Sequence, residues 1–198
     1  MLRSQHAEAT RGAVLAAARR SFGRKGYAQA SVDEIAAAAR VTKGAVYHHF
    51  ADKEALFRAV HAVVEAEAQA RAAAAARDPE EPAIDQILAV VNAYLDVALD
   101  EEIRRITLID GPALLGLEPD GPADQQAGYM EVRLFIATAI ARGQIIDLDP
   151  DLLAHLIGGL ALQGGLLIAR ASDRDAARAT LGRALEVMLR GLATGKRR

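Results

Sequence analysis

The sequence has no cysteine. No disulfide, thiolate metal site or cysteine nucleophile can be built from it, which excludes thiol redox chemistry and fits a reducing cytoplasm. The N-terminus, MLRSQHAEATR, is polar and lacks the apolar core of a signal peptide. Only Leu152 to Ala169 runs eighteen residues without a formal charge, the lower edge of a membrane span. That stretch holds His155, Gln163 and four glycines and is flanked by Asp149, Asp151, Arg170 and Asp173, so a buried helix is expected and no membrane partner. Internal repeats are missing, as are runs of period-two alternation bounded by turn residues. So are nucleophile–base pairings, metal-ligand spacings and phosphate loops; Asp100, Glu101 and Glu102 read as a solvated helix start. Neither an enzyme nor a cofactor is expected. His48, His49 and His61 make no convincing metal site, because adjacent histidines diverge on a helix and no acidic neighbour completes the set.

What is present is an apolar content of 52% over 198 residues, enough for a sizeable core and against disorder. The net charge of −2 hides an asymmetry: residues 1–60 carry ten Lys/Arg against five Asp/Glu, and the remainder fourteen against twenty-one. A basic head on an acidic body points to an anionic partner for the head, nucleic acid or membrane surface, although a solvated face gives the same pattern.

Apolar residues recur at helical spacing almost throughout, so the chain reads as all-α with about nine helices. Val14, Ala18 and Phe22 mark a first helix ending near Lys25-Gly26. Ser31-Val32-Asp33-Glu34 is a capping box opening a short helix over about 32–39. Thr42 caps the next, from about Lys43 to Phe50, and Asp52 a fourth that Leu56, Phe57, Val60 and Val64 carry toward Arg77. After the break at Asp78-Pro79, the stripe Ile84, Ile87, Leu88, Val91 and Leu95 gives another helix. One over about 101–110 is expected to stop at Asp110-Gly111-Pro112, and Leu117 to Pro122 reads as a loop. Three longer helices follow near 123–142, 150–171 and 173–192.

Two short helices separated by Ala39 to Thr42, behind a longer one, match a helix-turn-helix unit. Ile35, Val41, Val46 and Phe22 face its core. The third helix then presents Lys43, Gly44, Ala45, Tyr47 and His48: a cation for phosphate or guanine, small residues that let a helix seat deeply in a groove, and side chains that reach phosphates or base edges. Tyr47 has a second reading as a core residue against the first helix, and His49 reads as core or supporting.

From Gly26 to Leu56 the pattern G-Y-x-x-A-S-V-x-x-I-A-x-x-A-x-V-T-K-G-A-V-Y-H-H-F-x-x-K-E-A-L resembles the N-terminal signature of tetracycline-repressor (TetR) family regulators. The resemblance implies a three-helix DNA-binding head, residues 1–52, on a helical ligand-binding and dimerising body, residues 53–198, with the helix at about 53–77 connecting them. It places Thr42 and Lys43 at the start of the recognition helix, Ala45 against bases, Tyr47 and His48 toward groove or phosphate, and Lys53 on phosphate. Arg40 departs from the family's frequent Gly at the turn, where positive φ strains other residues; Ala30 replaces the frequent Thr before Ser31. Arg104 to Gly116, RRITLIDGPALLG, also resembles a stretch in the body of some members.

The implied partners are a roughly palindromic double-stranded DNA operator, a second copy of the chain and a small, largely apolar effector. For the dimer, Ala154, Gly158, Ala161 and Gly165 offer close helix crossing and Leu181, Leu185, Met188 and Leu192 an apolar stripe. For the effector, the polar candidates are Asn92, Thr107, Tyr129, Thr138 and Gln163. The rivals are a helical enzyme acting on a hydrophobic substrate and a DNA-binding dimer that senses nothing.

Overall fold

The computed structural model describes residues 2–75, 81–116 and 126–194, and their side chains except at 2–5 and 126–131. Among the described residues the chain is all-α; the one bridge outside helices pairs Ile145 with Ala193. Packing divides it into two units: Met1–Glu65 with Glu101–Glu118, and Ala66–Asp100 with Pro119–Arg198.

The first unit opens with α1 (Leu2–Gln29), whose Val14, Ala18 and Phe22 are wholly buried. The helix end expected at Lys25-Gly26 takes the form of a kink, with Gly26 at φ 76° and one further turn to Gln29. Helix α2 (Val32–Ala39) starts at Ser31, whose Oγ accepts from Asp33 N–H at 3.2 Å. Glu34 does not return the favour expected of a capping box and pairs with Lys25 Nζ at 2.8 Å. Arg40 closes the helix at φ 58°, with Val41 N–H reaching back to Ala36 O at 3.0 Å in a Schellman arrangement. Helix α3 (Lys43–His49) is capped by Thr42 Oγ1, which accepts from Ala45 N–H at 3.2 Å. Asp52 Oδ1 does the same for Ala55 N–H at 2.7 Å at the start of α4 (Lys53–Ala73). Phe22, Tyr27 and Phe57 cluster with ring centroids 5.2–5.9 Å apart.

The segment resembling the family's body stretch packs in this unit. Helix α6 (Glu101–Ile103) leads into a π-helical stretch, Arg104–Asp110, and α7 (Gly111–Leu115) follows directly. The expected stop at Asp110-Gly111-Pro112 is therefore wrong. Gly111 N–H bonds five residues back to Ile106 O, and Pro112 stands in the first turn of α7. Two anchors fix the segment to α1: Arg19 Nε meets Glu102 Oε1 at 2.6 Å, and Tyr27 N–H donates to Asp110 Oδ2 at 2.7 Å. The loop expected at Leu117 to Pro122 lies outside the described residues.

The second unit contains α5 (Ala83–Val97), α8 (Gln126–Ala141), α9 (Pro150–Arg170) and α10 (Arg174–Arg190). Helix α9 packs on the other three, and a Cβ on Gly164 would sit 2.8 Å from Leu95 Cδ2 of α5. By length and composition α9 could cross a membrane, but half of its apolar window is buried within the chain. Arg178 Nε to Asp96 at 2.7 Å and Arg190 Nη1 to Asp85 at 3.0 Å tie α10 to α5.

Candidate nucleic-acid interface

Helix α3 is anchored on one side only. Val46 is 1% exposed and Phe50, just past the helix end, is 5% exposed. The opposite side leaves Lys43, Gly44, Tyr47 and His48 exposed, with Ala45 and His49 half-buried at the margins. Tyr47 keeps 44% of its surface in solvent, and the aromatic cluster is built from Phe22, Tyr27 and Phe57 instead. The rings of His48 and His49 meet edge to face at 5.4 Å, while His61 packs beside Phe57 and Gly111. A Cβ on Gly44 would meet nothing closer than Thr42 Oγ1 at 3.9 Å, so the missing side chain leaves a shallow spot on the outer surface.

The charges around this face are held in place. Lys43 Nζ sits 2.9 Å from Asp33 Oδ2, and that hydrogen bond and charge hold the ammonium's pKa above its ordinary value. Lys53 Nζ lies 4.4 Å from the Tyr27 ring centroid and 3.5 Å from Ala28 O, which fixes its direction at the start of α4. Burial, then Glu54 and Asp52, raise the Tyr27 phenol's pKa, so the ring beneath that cation stays neutral. Between α1 and α2 lies a cleft of about 400 Å³ bordered by Arg20, Arg24 and Lys25 on one wall and Glu34 on the other. The structure thus gathers Thr42, Lys43, Gly44, Ala45, Tyr47, His48 and Lys53 in one unit.

The residues named for the second role are not gathered in this way. Thr107 belongs to the first unit and Asn92, Thr138 and Gln163 to the second. Asn92, Thr107 and Thr138 each donate to a carbonyl one turn back on their own helix, at 2.8, 2.9 and 2.8 Å. Gln163 is exposed, and the Tyr129 side chain lies outside the described residues. Of the residues named for dimerisation, Ala154, Ala161, Gly165 and Leu185 are buried within the chain and cannot meet a partner. Of the small residues on α9, Gly164 approaches Leu95 of α5. Gly158 and Met188 are exposed and Leu181 half-buried. The exposed large apolar residues of α9 are instead Leu152, Leu156 and Leu167, and those of α10 are Val187 and Met188.

Sequence reasoning missed Asp33, Asp110 and Glu102. Asp33 carried a signal, since an acidic residue in the first turn of a helix ten positions before a lysine invites a contact. The other two had none, because their partners lie 83 residues away.

A helix held by its core side and capped at its N-terminus, with cations fixed around an exposed outer face, defines a helix-turn-helix DNA-binding regulator. Residues 14–60 match the family described as bacterial regulatory proteins, tetR family, and residues 84–192 match the tetracyclin repressor-like C-terminal domain. The chain belongs to the TetR family of transcriptional regulators. A TetR-family transcriptional regulator from Pectobacterium atrosepticum is 37% identical, with 98% of each chain covered and a TM-score of 0.88. The HTH-type transcriptional regulator UidR of Escherichia coli K12 is 27% identical over 191 residues, 95% of each chain. Salmonella enterica GusR is 26% identical, over 94% of this chain and 96% of that one, with a TM-score of 0.65.

Proposed function

We propose that this regulator acts in the cytoplasm as a homodimeric repressor. It binds a roughly palindromic operator and is released by a small, largely apolar effector held in the second unit. The observation that carries the DNA-binding part is the outer face of α3, where Lys43, Gly44, Tyr47 and His48 stand exposed beside a Thr42 cap. In this reading α3 enters the major groove, Ala45 lies against bases, the α3 N-terminal amides face phosphate, and Lys53 holds the backbone from the start of α4. The chain acts by binding alone, with no catalytic step.

The test is fluorescence anisotropy of the purified protein on DNA from upstream of its own gene, with random competitor and varied salt. Tight binding that survives competition supports the reading. Tyr47→Ala should abolish specific binding with the fold and dimer intact, whereas the turnover of an enzyme would survive it. Lys53→Ala should weaken binding to all sequences and reduce the salt slope by about one per protomer. An inducer that demonstrably occupies the second unit yet leaves operator affinity unchanged would refute the coupling.

A further inference from the structure

Lys43 is the first residue of α3 and Asp33 the second of α2, so two helix starts meet through one ion pair. Its Nζ–Oδ2 distance is 2.9 Å, with about half of the lysine side chain and two thirds of the aspartate side chain exposed. An exposed pair of this kind adds little to folding stability, so stability does not explain it. The Asp33 backbone is held at the start of α2: its N–H donates to Ser31 Oγ at 3.2 Å, and its charge suits the positive N-terminal end of that helix.

A free lysine samples many rotamers, and freezing it on binding costs entropy. The Asp33 pair biases the side chain toward one direction beforehand. An ammonium has three donors, and one bond to Asp33 leaves two for an acceptor on DNA. At the same time the pair is close to neutral as a unit, so it offers little to a phosphate met at random.

We propose that Asp33 is a positioning residue that sets DNA specificity: it aims Lys43 at one acceptor in the seated major groove and withholds a free positive charge from arbitrary sequence. The proposal rests on the reading of Lys43 as a DNA contact. On the operator the two remaining donors meet a base edge, for which guanine O6 and N7 are the geometric match. On random DNA the recognition helix is not seated, the pair stays closed, and Lys43 adds no counterion release.

The experiment uses the full-length protein, a duplex selected from a random pool by the wild type, and a random duplex. Anisotropy is measured over a salt series for wild type, Asp33→Asn, Lys43→Ala and the double variant, with thermal melts as a folding check. Asp33→Asn should bind random DNA several-fold more tightly, steepen the salt slope on it by about one per protomer and lower the selected-to-random affinity ratio several-fold. In the Lys43→Ala background these effects should vanish, and the melts should stay cooperative with at most a small downward shift from the helix-start charge lost with Asp33. An unchanged or raised ratio in Asp33→Asn overturns the proposal, as does an effect that persists without Lys43. If Lys43→Ala alone leaves binding to the selected duplex intact, Lys43 is no contact and both readings fall together.

Discussion

His61 and Gly111 meet so closely that a Cβ on Gly111 would lie 2.7 Å from the imidazole Nε2 and 3.0 Å from Ile106 O. The ring could give way only by leaving its place beside Phe57, and the carbonyl belongs to the bond that closes the π turn. Gly111→Ala is therefore expected to destabilise by about 1–3 kcal/mol in urea unfolding, as overpacking does. The same burial, with Arg58 as a second cause, lowers the His61 pKa from its ordinary 6.5. The sign follows from proton uptake: above 6.5 the imidazole is neutral in both states, and below it the unfolded chain takes up a proton that the folded chain resists. Stability should thus be full above about pH 6.5 and fall as the pH drops below it. Comparing urea midpoints of wild type and His61→Gln at about pH 7.5 and about pH 5.5 checks this; equal losses on acidification would place the effect elsewhere. Neither contact was legible in the sequence, where His61 and Gly111 are fifty positions apart and the Gly-Pro pair read only as a breaker.

Helix starts were the most legible elements. Ser31, Thr42 and Asp52, read as caps, each carry a side-chain oxygen that binds a first-turn amide, a local signal that needs no tertiary context. Arg40 was legible too, as the residue forced into the left-handed turn. A non-glycine there costs about 1–3 kcal/mol, and glycine gives back roughly 0.4–1 through a freer unfolded chain. Arg40→Gly should therefore raise stability by about 1 kcal/mol in urea unfolding; a loss would mean that the Arg40 side chain contributes contacts of its own. The π stretch was not legible, because a bond from residue 111 to 106 leaves no mark on side-chain periodicity. Its role can still be probed through Asp110, the acceptor for Tyr27 N–H beside the Gly26 kink. Asp110→Ala should cost about 1–3 kcal/mol and speed amide exchange at Tyr27. Unchanged exchange there would show that the kink holds without the segment.

For the whole molecule, the sequence named small residues on α9 as a dimer face, and several of them, Ala154, Ala161 and Gly165, are buried within the chain. Small residues say that something packs closely, not whether the neighbour is in the same chain. On α9 the buried small residues face the chain's own helices, and only burial shows it. What remains exposed is Leu152, Leu156 and Leu167 on α9 and Val187 with Met188 on α10; Val187 is 76% exposed, a large apolar surface left in water. Two copies of this pair meeting about a two-fold axis would cover those side chains as a four-helix bundle. A glutamate at Leu156 would then lie across the axis region as a charge in an apolar seam, while in the separated chain it would face solvent. Leu156→Glu should keep its helical circular dichroism yet sediment as a monomer. With one head per particle it should lose the benefit of engaging both half-sites, roughly a hundredfold or more in operator affinity, with little change on a single half-site. A variant that stays dimeric with full operator affinity would put the two-fold axis on another face of the molecule.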